Sequence, residues 1–214
     1  MKILPLFPLQ IVVYPGDRVP LHIFELRYQE LITDCEKSNM AFGIPTVLNG
    51  EMSLGTEVVL DRVVKRYENG QSDIICSGKR IFKIINFHNP YQDKLYAAGT
   101  VDYIDITDDS VDTLKQSTIQ LIFEFYKTLE LPSPEIQSDD FTSFSLAHKI
   151  GFSLVQEYEL LKLSYESERL LFIKNHLEKV IPIIREVNNT KENIKLNGHF
   201  RNYDPLDFKN IKWD

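Results

Sequence analysis

The sequence is short of cysteine: Cys35 and Cys76 are its only two, and they lie far apart among 214 residues. Two isolated thiols exclude a disulfide framework and a four-thiolate zinc site, and we expect both to be buried and reduced. The sequence also lacks a run of about eighteen apolar residues, the length that a membrane-spanning helix needs. Its apolar start is interrupted by Pro5 and Pro8 and lacks the cleavage pattern of a signal peptide. These absences predict a cytoplasmic protein without a membrane partner.

The sequence has no excess of positive charge, because 24 Lys and Arg residues stand against 31 Asp and Glu residues, for a net charge of −7. A protein that binds a phosphate backbone needs a basic face. Basic doublets occur at 65–66 and 79–80, where aromatic neighbours superficially suit RNA, but we interpret both as solvated strand faces. We therefore do not expect nucleic acid as a partner.

The motifs of common catalytic and cofactor sites are absent. The sequence has no G-x-x-x-x-G-K-[ST], no G-x-S-x-G, no G-x-G-x-x-G and no H-E-x-x-H. The histidines are far apart in sequence, at His22, His88, His148, His176 and His199. Acidic pairs at 108–109 and 139–140 fall at predicted helix starts, where carboxylates complement the helix dipole. The sequence thus predicts no catalytic, cofactor-binding or metal-ligating residue, and a protein that is not an enzyme.

Residues 1–106 carry the pattern of a β-rich unit. β-Branched residues alternate with polar ones in the segments that we expect to be strands: 10–14, 42–47, 57–67, 72–76, 80–87 and 95–104. Asn69-Gly70 between two of these segments predicts a hairpin turn. Short strands without a βαβ rhythm favour a partly closed β-barrel over a parallel sheet.

One helix is expected within this unit, over residues 24–35. Apolar residues at 24, 28, 31, 32 and 35 form a single stripe. Phe24 and Tyr28 are one turn apart on that stripe and are predicted to face the barrel. Glu25 and Arg27 cannot share a helix face, so each is expected to find a partner elsewhere.

Residues 107–187 carry helical periodicity instead, and residues 188–214 form a polar tail that we expect to be irregular. The predicted helix signals are Asp108 or Asp109 as an N-cap and Pro132 as a stop, a short helix over 141–150 with Gly151 after it, a capping box at Ser153 and Gln156, and Ser164 as the cap of a long last helix. Pro182 must kink or end that last helix. The tail contains the aromatic residues Phe200, Tyr203, Phe208 and Trp213.

The opening of the sequence resembles that of a known domain. Residues 4–9 (LPLFPL), 12–16 (VVYPG) and 20–28 (PLHIFELRY) are similar to the opening signature of the Lon protease N-terminal domain, also called the Lon substrate-binding domain. Further similarity follows in order at 55–56 (GT), 78–84 (GKRIFKI) and 147–150 (AHKI). The resemblance implies an α+β fold, in which a PUA-like β pseudo-barrel is followed by an α-helical bundle.

The same resemblance implies a function. A full Lon protease continues into an ATPase module and a Ser-Lys protease domain, whereas this sequence has neither motif, so it looks like a free-standing member of the family. The implied role is to bind unfolded or hydrophobic polypeptide segments, for which a groove between barrel and bundle is the natural place. The alternatives are an RNA-binding PUA-like protein and an adaptor for a partner protease, and a protease or a chaperone is the expected partner class. The peptide-binding candidates are His22, Phe24, Arg27, Tyr28 and Arg80.

Overall fold

The computed structural model of this protein describes residues 1–137 and 141–199, with side chains as far as residue 194. The strands are β1 (Lys2–Leu6), β2 (Arg18–Ile23), β3 (Phe42–Pro45), β4 (Leu54–Arg66), β5 (Ser72–His88) and β6 (Ala97–Tyr103). The helices are α1 (Leu26–Ser38), α2 (Asp112–Thr128), a 3₁₀ helix (Ser143–Lys149), α3 (Leu154–Lys162) and α4 (Glu166–His199). Strands followed by helices give the α+β architecture that the sequence predicts.

The strands close into a pseudo-barrel because β5 is long enough to belong to two parts of the sheet. Neighbours run in the order β5-β4-β3-β1-β6, and β6 pairs back onto the second half of β5. β1 and β3 are parallel, whereas the other pairs are antiparallel. Register shifts between β4 and β5 bend these long strands, as bulges do. β2 stands outside the circuit and pairs with the start of β5, so it forms the edge of the sheet.

The hairpin between β4 and β5 confirms the turn predicted at Asn69-Gly70. The Tyr67 N–H donates to the Gln71 carbonyl at 2.9 Å, and the Gly70 N–H donates to the Tyr67 carbonyl at 3.1 Å. Gly70 has a φ of 83°, which glycine adopts without a steric penalty.

β5 runs unbroken through Gly78, where the sequence suggested two separate strands. A Cβ at Gly78 would lie 2.2 Å from the Tyr14 carbonyl oxygen. The Gly78 carbonyl accepts from the Gly16 N–H at 3.0 Å, and the Gly78 N–H donates to the Asp17 carbonyl at 2.9 Å. The glycine therefore allows the loop before β2 to pack closely on the strand, rather than ending the strand.

Residues 10–14 are not the strand that the sequence predicts, although most of their side chains are buried. Threonine side chains bond the backbone here in place of a neighbouring strand. Thr46 Oγ1 donates to the Ile11 carbonyl at 2.9 Å, and Thr56 Oγ1 donates to the Val13 carbonyl. The hydrophobic pattern thus predicted burial correctly, but its prediction of a strand is wrong. Hydrogen bonds from threonine side chains hold this backbone in place of the ladder of a neighbouring strand.

α1 begins later than predicted, because Glu25 has the extended backbone of an N-cap residue, with φ −75° and ψ 137°. Phe24 lies before the helix and is 59% exposed, so the prediction that it faces the barrel is wrong. The rest of the stripe is confirmed, since the buried residues of α1 are Tyr28, Leu31, Ile32 and Cys35. The extended Glu25 also lets its carboxylate pair with Arg27 at 2.7 Å, so the expectation that these two need separate partners is wrong.

Two of the predicted helix caps differ in the structure. α2 begins after Val111, and neither Asp108 nor Asp109 caps it. The Asp109 carboxylate instead accepts from the backbone N–H and the hydroxyl of Ser167, at 2.9 and 2.7 Å, in the first turn of α4. α4 begins two residues after Ser164, so the serine is not its cap. A carboxylate from a distant segment satisfies the start of α4, and local sequence gives no sign of that.

Two other helix signals are confirmed, whereas the C-terminal end differs from the prediction. Gly151, two residues after the end of the 3₁₀ helix, has a φ of 79°, and Ser153 and Gln156 form the capping box that opens α3. α4 continues through Pro182, so the helix does not end there, and residues 188–199 of the predicted irregular tail are helical. The tail aromatics Phe200, Tyr203, Phe208 and Trp213 lie outside the described residues.

One hydrophobic core joins the barrel to the helices. Val12, Tyr14, Leu54 and Ile81 of the β-rich part pack with buried residues of the helical part: Ile119, Ile122, Phe125, Phe141, Phe144, Leu146, Ala147, Ile150, Tyr158, Leu160, Leu161, Leu170, Ile173, Leu177 and Ile181. A second core lies between the barrel and α1. The shared core fixes the loop before β2 against the 3₁₀ helix and α3, and a groove remains where their surfaces part.

Candidate binding groove at the barrel–helix junction

A groove of about 600 Å³ lies where the loop before β2 meets the 3₁₀ helix and α3. We call it the junction groove, and its lining residues are Gln10, Ile11, Val12, Asp17, Arg18, Val19, Pro20, His148, Lys149, Leu154 and Glu157. Ile11 is 37% exposed, so apolar surface is open to solvent here. A concave site of this size, with apolar walls and a few polar groups, is typical of ligand sites.

His148 connects the two sides of the junction groove. Its Nε2 lies 3.0 Å from Asp17 Oδ2 on the barrel side, and its Nδ1 lies 2.8 Å from Glu157 Oε1 on α3. Burial opposes a charge on the imidazole, but the hydrogen bonds to Asp17 and Glu157 outweigh it and raise the pKa of His148 above its usual value. Both ring nitrogens are engaged, so the imidazole holds the groove together and has no free nitrogen to act as a base.

Tyr14 fixes this bridge from below. Its N–H donates to Asp17 Oδ2 at 2.7 Å, and its hydroxyl donates to the Glu157 carbonyl at 3.0 Å. Its ring stacks on Phe144 and lies against His148, with centroids 4.9 and 4.7 Å apart. Burial, followed by the charges of Glu157 and Asp17, raises the pKa of Tyr14, so its phenol remains protonated and continues to donate. The groove therefore has a preformed floor.

The free charge on the rim of the junction groove is positive. His148 lies between Asp17 and Glu157 and, when protonated, offsets one of their two negative charges, whereas Arg18 and Lys149 are exposed and have no ion-pair partner among the residues that the structure describes. A ligand with a negative group beside apolar groups would complement this rim.

A second exposed feature, which we call the aromatic patch, lies at the other end of β2 and consists of His22, Phe24 and Tyr67. The His22 ring centroid is 6.1 Å from that of Phe24 and 5.8 Å from that of Tyr67. His22 Nδ1 lies 2.6 Å from Asp73 Oδ1, and the Tyr67 hydroxyl donates to Asp73 Oδ2 at 2.7 Å. These hydrogen bonds hold the pKa of Asp73 below its usual value, and the one from His22 has the larger effect. The structure thus brings together two of the predicted peptide-binding residues, His22 and Phe24.

Two other candidates, Arg27 and Tyr28, lie next to the patch but are engaged elsewhere. Tyr28 is 4% exposed and stacks on Phe7, with ring centroids 3.8 Å apart. Arg27 pairs with Glu25, and its guanidinium carbon lies 4.5 Å from the centre of the Tyr28 ring. The Tyr28 side chain is part of the core beneath α1, and a role in peptide binding stays a prediction for both residues.

Arg80 lies apart from the other candidates, beyond the section of β5 that pairs with β2. Its guanidinium pairs with Glu57 at 3.0 Å and covers the Tyr103 ring at 3.7 Å. Glu57 is buried and also accepts from Lys2 and from the Tyr103 hydroxyl, and these hydrogen bonds overcome its burial and lower its pKa. This arrangement links four strands of the barrel, so Arg80 has a structural explanation, and its role in peptide binding stays a prediction.

A larger cleft of about 950 Å³ lies between α2 and α4, with Phe123, Lys127, Leu131 and Asn189 among its lining residues. Arg185 pairs with Glu124 at 2.5 Å across this cleft. Unlike the junction groove, the cleft has no strand beside it, and we treat it as the competing site in the experiments below.

The family resemblance led us to expect a groove between barrel and bundle, but the sequence did not identify the residues that line the junction groove. Asp17 and His148 are 131 residues apart, and only the fold brings them into contact. The available signal is that Val12, Pro20 and His148 belong to the segments 12–16, 20–28 and 147–150, which resemble the Lon domain. Ile11 and Leu154, which supply open apolar surface, are ordinary aliphatic residues whose exposure no local pattern reveals.

Some kinds of site find no support in the part of the chain that the structure describes. No group of three or more His, Cys, Asp or Glu residues there could hold a metal ion. None of the helices described is both long and apolar enough to cross a membrane. Cys35 and Cys76 are free and buried, and burial raises the pKa of each thiol to about 12, so neither is a ready nucleophile.

A family model and two solved structures of known proteins match this chain and agree with its fold. The family model of the ATP-dependent protease La (LON) substrate-binding domain matches residues 3–195. The Lon N-terminal domain protein from Xanthomonas campestris is 26% identical, with a TM-score of 0.63 over 79% of this chain and 95% of that one. The N-terminal domain of Mycobacterium avium complex Lon protease is 16% identical, with a TM-score of 0.64 over 83% of this chain and 98% of that one, and so shows the fold alone. No curated protein matches significantly. Because the family model covers most of its length, the chain belongs to the LON substrate-binding domain family.

Proposed function

We propose that this chain is a non-enzymatic recognition module that binds unfolded or hydrophobic segments of other polypeptides in the junction groove. Its membership of a substrate-binding domain family supports recognition of protein substrates. The observation that carries the location is the groove itself, where apolar Ile11 and Leu154 stand beside the unpaired charges of Arg18 and Lys149. Such a surface suits an apolar chain segment with an acidic neighbour.

The groove suits binding better than reaction. Both nitrogens of His148 contact carboxylates, and the pKa of the neighbouring Tyr14 phenol is raised, so neither group is poised to take a proton from a substrate. The net charge of −7 disfavours RNA, the alternative that the PUA-like fold suggests. An adaptor role would use the same groove and pass the bound segment to a protease or chaperone.

Binding is tested with reduced, carboxymethylated α-lactalbumin, which cannot refold and carries added negative charge. Isothermal titration of the purified chain should detect binding of this unfolded protein and no binding of native α-lactalbumin. The unfolded protein should remain intact after prolonged incubation, because recognition without cleavage is expected. Cleavage that a point substitution in this chain abolishes, or binding of single-stranded RNA in preference to the unfolded protein, would contradict the proposal.

Three matched substitutions test the location. Ile11→Glu places a charge in the junction groove and should weaken binding about tenfold. Leu171→Glu changes another exposed aliphatic residue, on α4 and outside the groove, and should leave binding unchanged. Leu131→Glu changes a leucine in the cleft between α2 and α4, and it should also leave binding unchanged. If Leu131→Glu weakens binding and Ile11→Glu does not, the segment binds in that cleft, and the junction groove is the wrong location.

A further inference from the structure

β2 has one free side. Within the described residues it pairs with β5 alone, and its other side carries no strand. In an antiparallel pair, the backbone groups of alternate residues point to the partner and away from it. The Gly78 N–H donates to the Asp17 carbonyl, so Asp17 and every second residue after it face β5. The backbone groups of Arg18, Pro20 and His22 therefore point to the free side.

Pro20 is consistent with this assignment. A proline has no N–H to give to a ladder, and prolines in sheets lie where that N–H would face solvent. On the free side, Arg18 and His22 each offer an N–H and a carbonyl, and Pro20 offers a carbonyl. These groups form a template for an added extended chain.

The free side of β2 connects the two exposed features of the molecule. Arg18, Val19 and Pro20 line the junction groove, and His22 belongs to the aromatic patch at the other end of the strand. A strand rises about 3.3 Å per residue, so a segment of about six residues spans β2 from end to end. Its side chains would meet apolar surface in the groove and the exposed ring of Phe24 beyond the strand.

The structure also favours one kind of occupant. Two copies of this chain pairing antiparallel about Pro20 would lose both hydrogen bonds of the central pair, because neither proline can donate. A segment of another polypeptide with an N–H opposite the Pro20 carbonyl keeps one of these two hydrogen bonds. The unpaired charges of Arg18 and Lys149 lie at the groove end of the strand, where they complement an acidic residue.

We propose that an extended segment of a non-native polypeptide adds to the free side of β2 as a further strand, with an acidic residue in the junction groove and apolar residues reaching the aromatic patch. This inference rests on the proposed function and specifies how the segment is recognised. Backbone hydrogen bonds then supply affinity without regard to sequence, and the groove and patch select for apolar and acidic side chains.

The test uses a fluorescein-labelled peptide, Asp-Val-Thr-Phe-Thr-Val with blocked ends, and two isomers that are N-methylated on opposite alternate sets of residues. In an added strand, one set of N–H groups bonds to β2 and the other set faces solvent. Anisotropy titrations should therefore show one isomer binding about tenfold or more weakly and the other binding like the parent peptide. Equal affinities for the two isomers would overturn strand addition, whether both isomers bind like the parent peptide or both fail to bind.

Failure of this inference is distinguishable from failure of the proposed function. If carboxymethylated α-lactalbumin binds and the hexapeptide does not, recognition along β2 is wrong and the proposed function stands. If neither binds, the proposed function fails and the inference fails with it.

A pair of substitutions tests the same point on the protein side. His22→Pro removes an N–H from the free side of β2, whereas His22→Ala removes the same side chain and keeps the N–H. His22→Pro should bind the hexapeptide several-fold more weakly than His22→Ala, at similar melting midpoints. Equal affinities of the two variants would overturn the inference, and the peptide isomers decide if His22→Pro does not fold. The inference would also be overturned if the unliganded wild type is a dimer and the His22→Pro variant is a monomer, because a second copy would then occupy the free side of β2.

Discussion

Two charged clusters hold the ends of the 3₁₀ helix, and they differ in their exposure. At its start, the Glu166 carboxylate accepts from the N–H and the hydroxyl of Ser143, at 2.6 and 2.7 Å, and from Arg169 at 2.8 Å. The Glu166 and Arg169 side chains are only 4% and 3% exposed. Near its end, His148 joins Asp17 and Glu157 with 37% of its side chain exposed.

The difference separates a structural cluster from one at a binding site. Arg169 also donates to the Leu163 carbonyl and lies over the Phe144 ring, so its donors and its charge are satisfied internally. Only 3% of its side chain is exposed, so little of it is open to a ligand. The His148 cluster has equally good geometry, but one side of it forms the wall of the junction groove. Ion pairing alone therefore does not mark a functional site in this molecule, whereas ion pairing beside open apolar surface does.

The largest effect is expected from breaking the buried cluster. Arg169→Ala leaves the Glu166 carboxylate buried without its cation, and removing one partner of a buried pair costs about 3–5 kcal/mol. Urea unfolding followed by far-UV circular dichroism measures this loss. Lys162→Ala is the matched control, since its pair with Glu159 at 2.7 Å is exposed and should contribute about 0–1 kcal/mol. Equal losses in the two variants would show that burial does not distinguish the clusters.

A smaller, pH-dependent effect is expected from the open cluster. The pKa of His148 is raised above 6.5 in the folded protein, so its contribution to stability is fully present below pH 6.5 and is lost as the pH rises through the folded pKa. The difference in melting midpoint between the wild type and His148→Gln should be largest at about pH 5.5 and smaller at about pH 9. A gap that widens with increasing pH would mean that the neutral imidazole is the stabilising form.

The sequence predicted the fold better than it predicted the site, for a physical reason. Alternation, helical periodicity and turn residues are local signals, and they located the β4–β5 hairpin, the buried stripe of α1 and the capping box of α3. The segment 10–14 was mistaken for a strand because burial and strand pairing leave the same apolar pattern. The junction groove depends on Asp17, His148 and Glu157, whose contacts exist only after the barrel and helices have packed.

Phe24 shows the same limit at a single residue. It continues the helical period of Tyr28, and the sequence therefore predicted both rings to be buried. Tyr28 is in the core, whereas the chain before Leu26 is extended and turns the Phe24 ring to solvent beside His22. A helical period carries no information about where the helix starts, and a shift of two residues moved this ring from the core to the surface.

The smallest effect on stability is expected from Phe24→Ala. A ring that is 59% exposed loses little burial on truncation, so the free energy of unfolding should change by no more than about 0.5 kcal/mol. Tyr28→Ala is the matched control, because it removes a buried ring that stacks on Phe7 and should cost about 3–5 kcal/mol. The same Phe24→Ala protein should bind the hexapeptide more weakly than the wild type, since the segment added to β2 ends at this ring. Full stability with weakened binding assigns Phe24 to recognition. A loss as large as that of Tyr28→Ala would instead place the ring in the core, as the helical period alone had predicted, and would remove it from the aromatic patch.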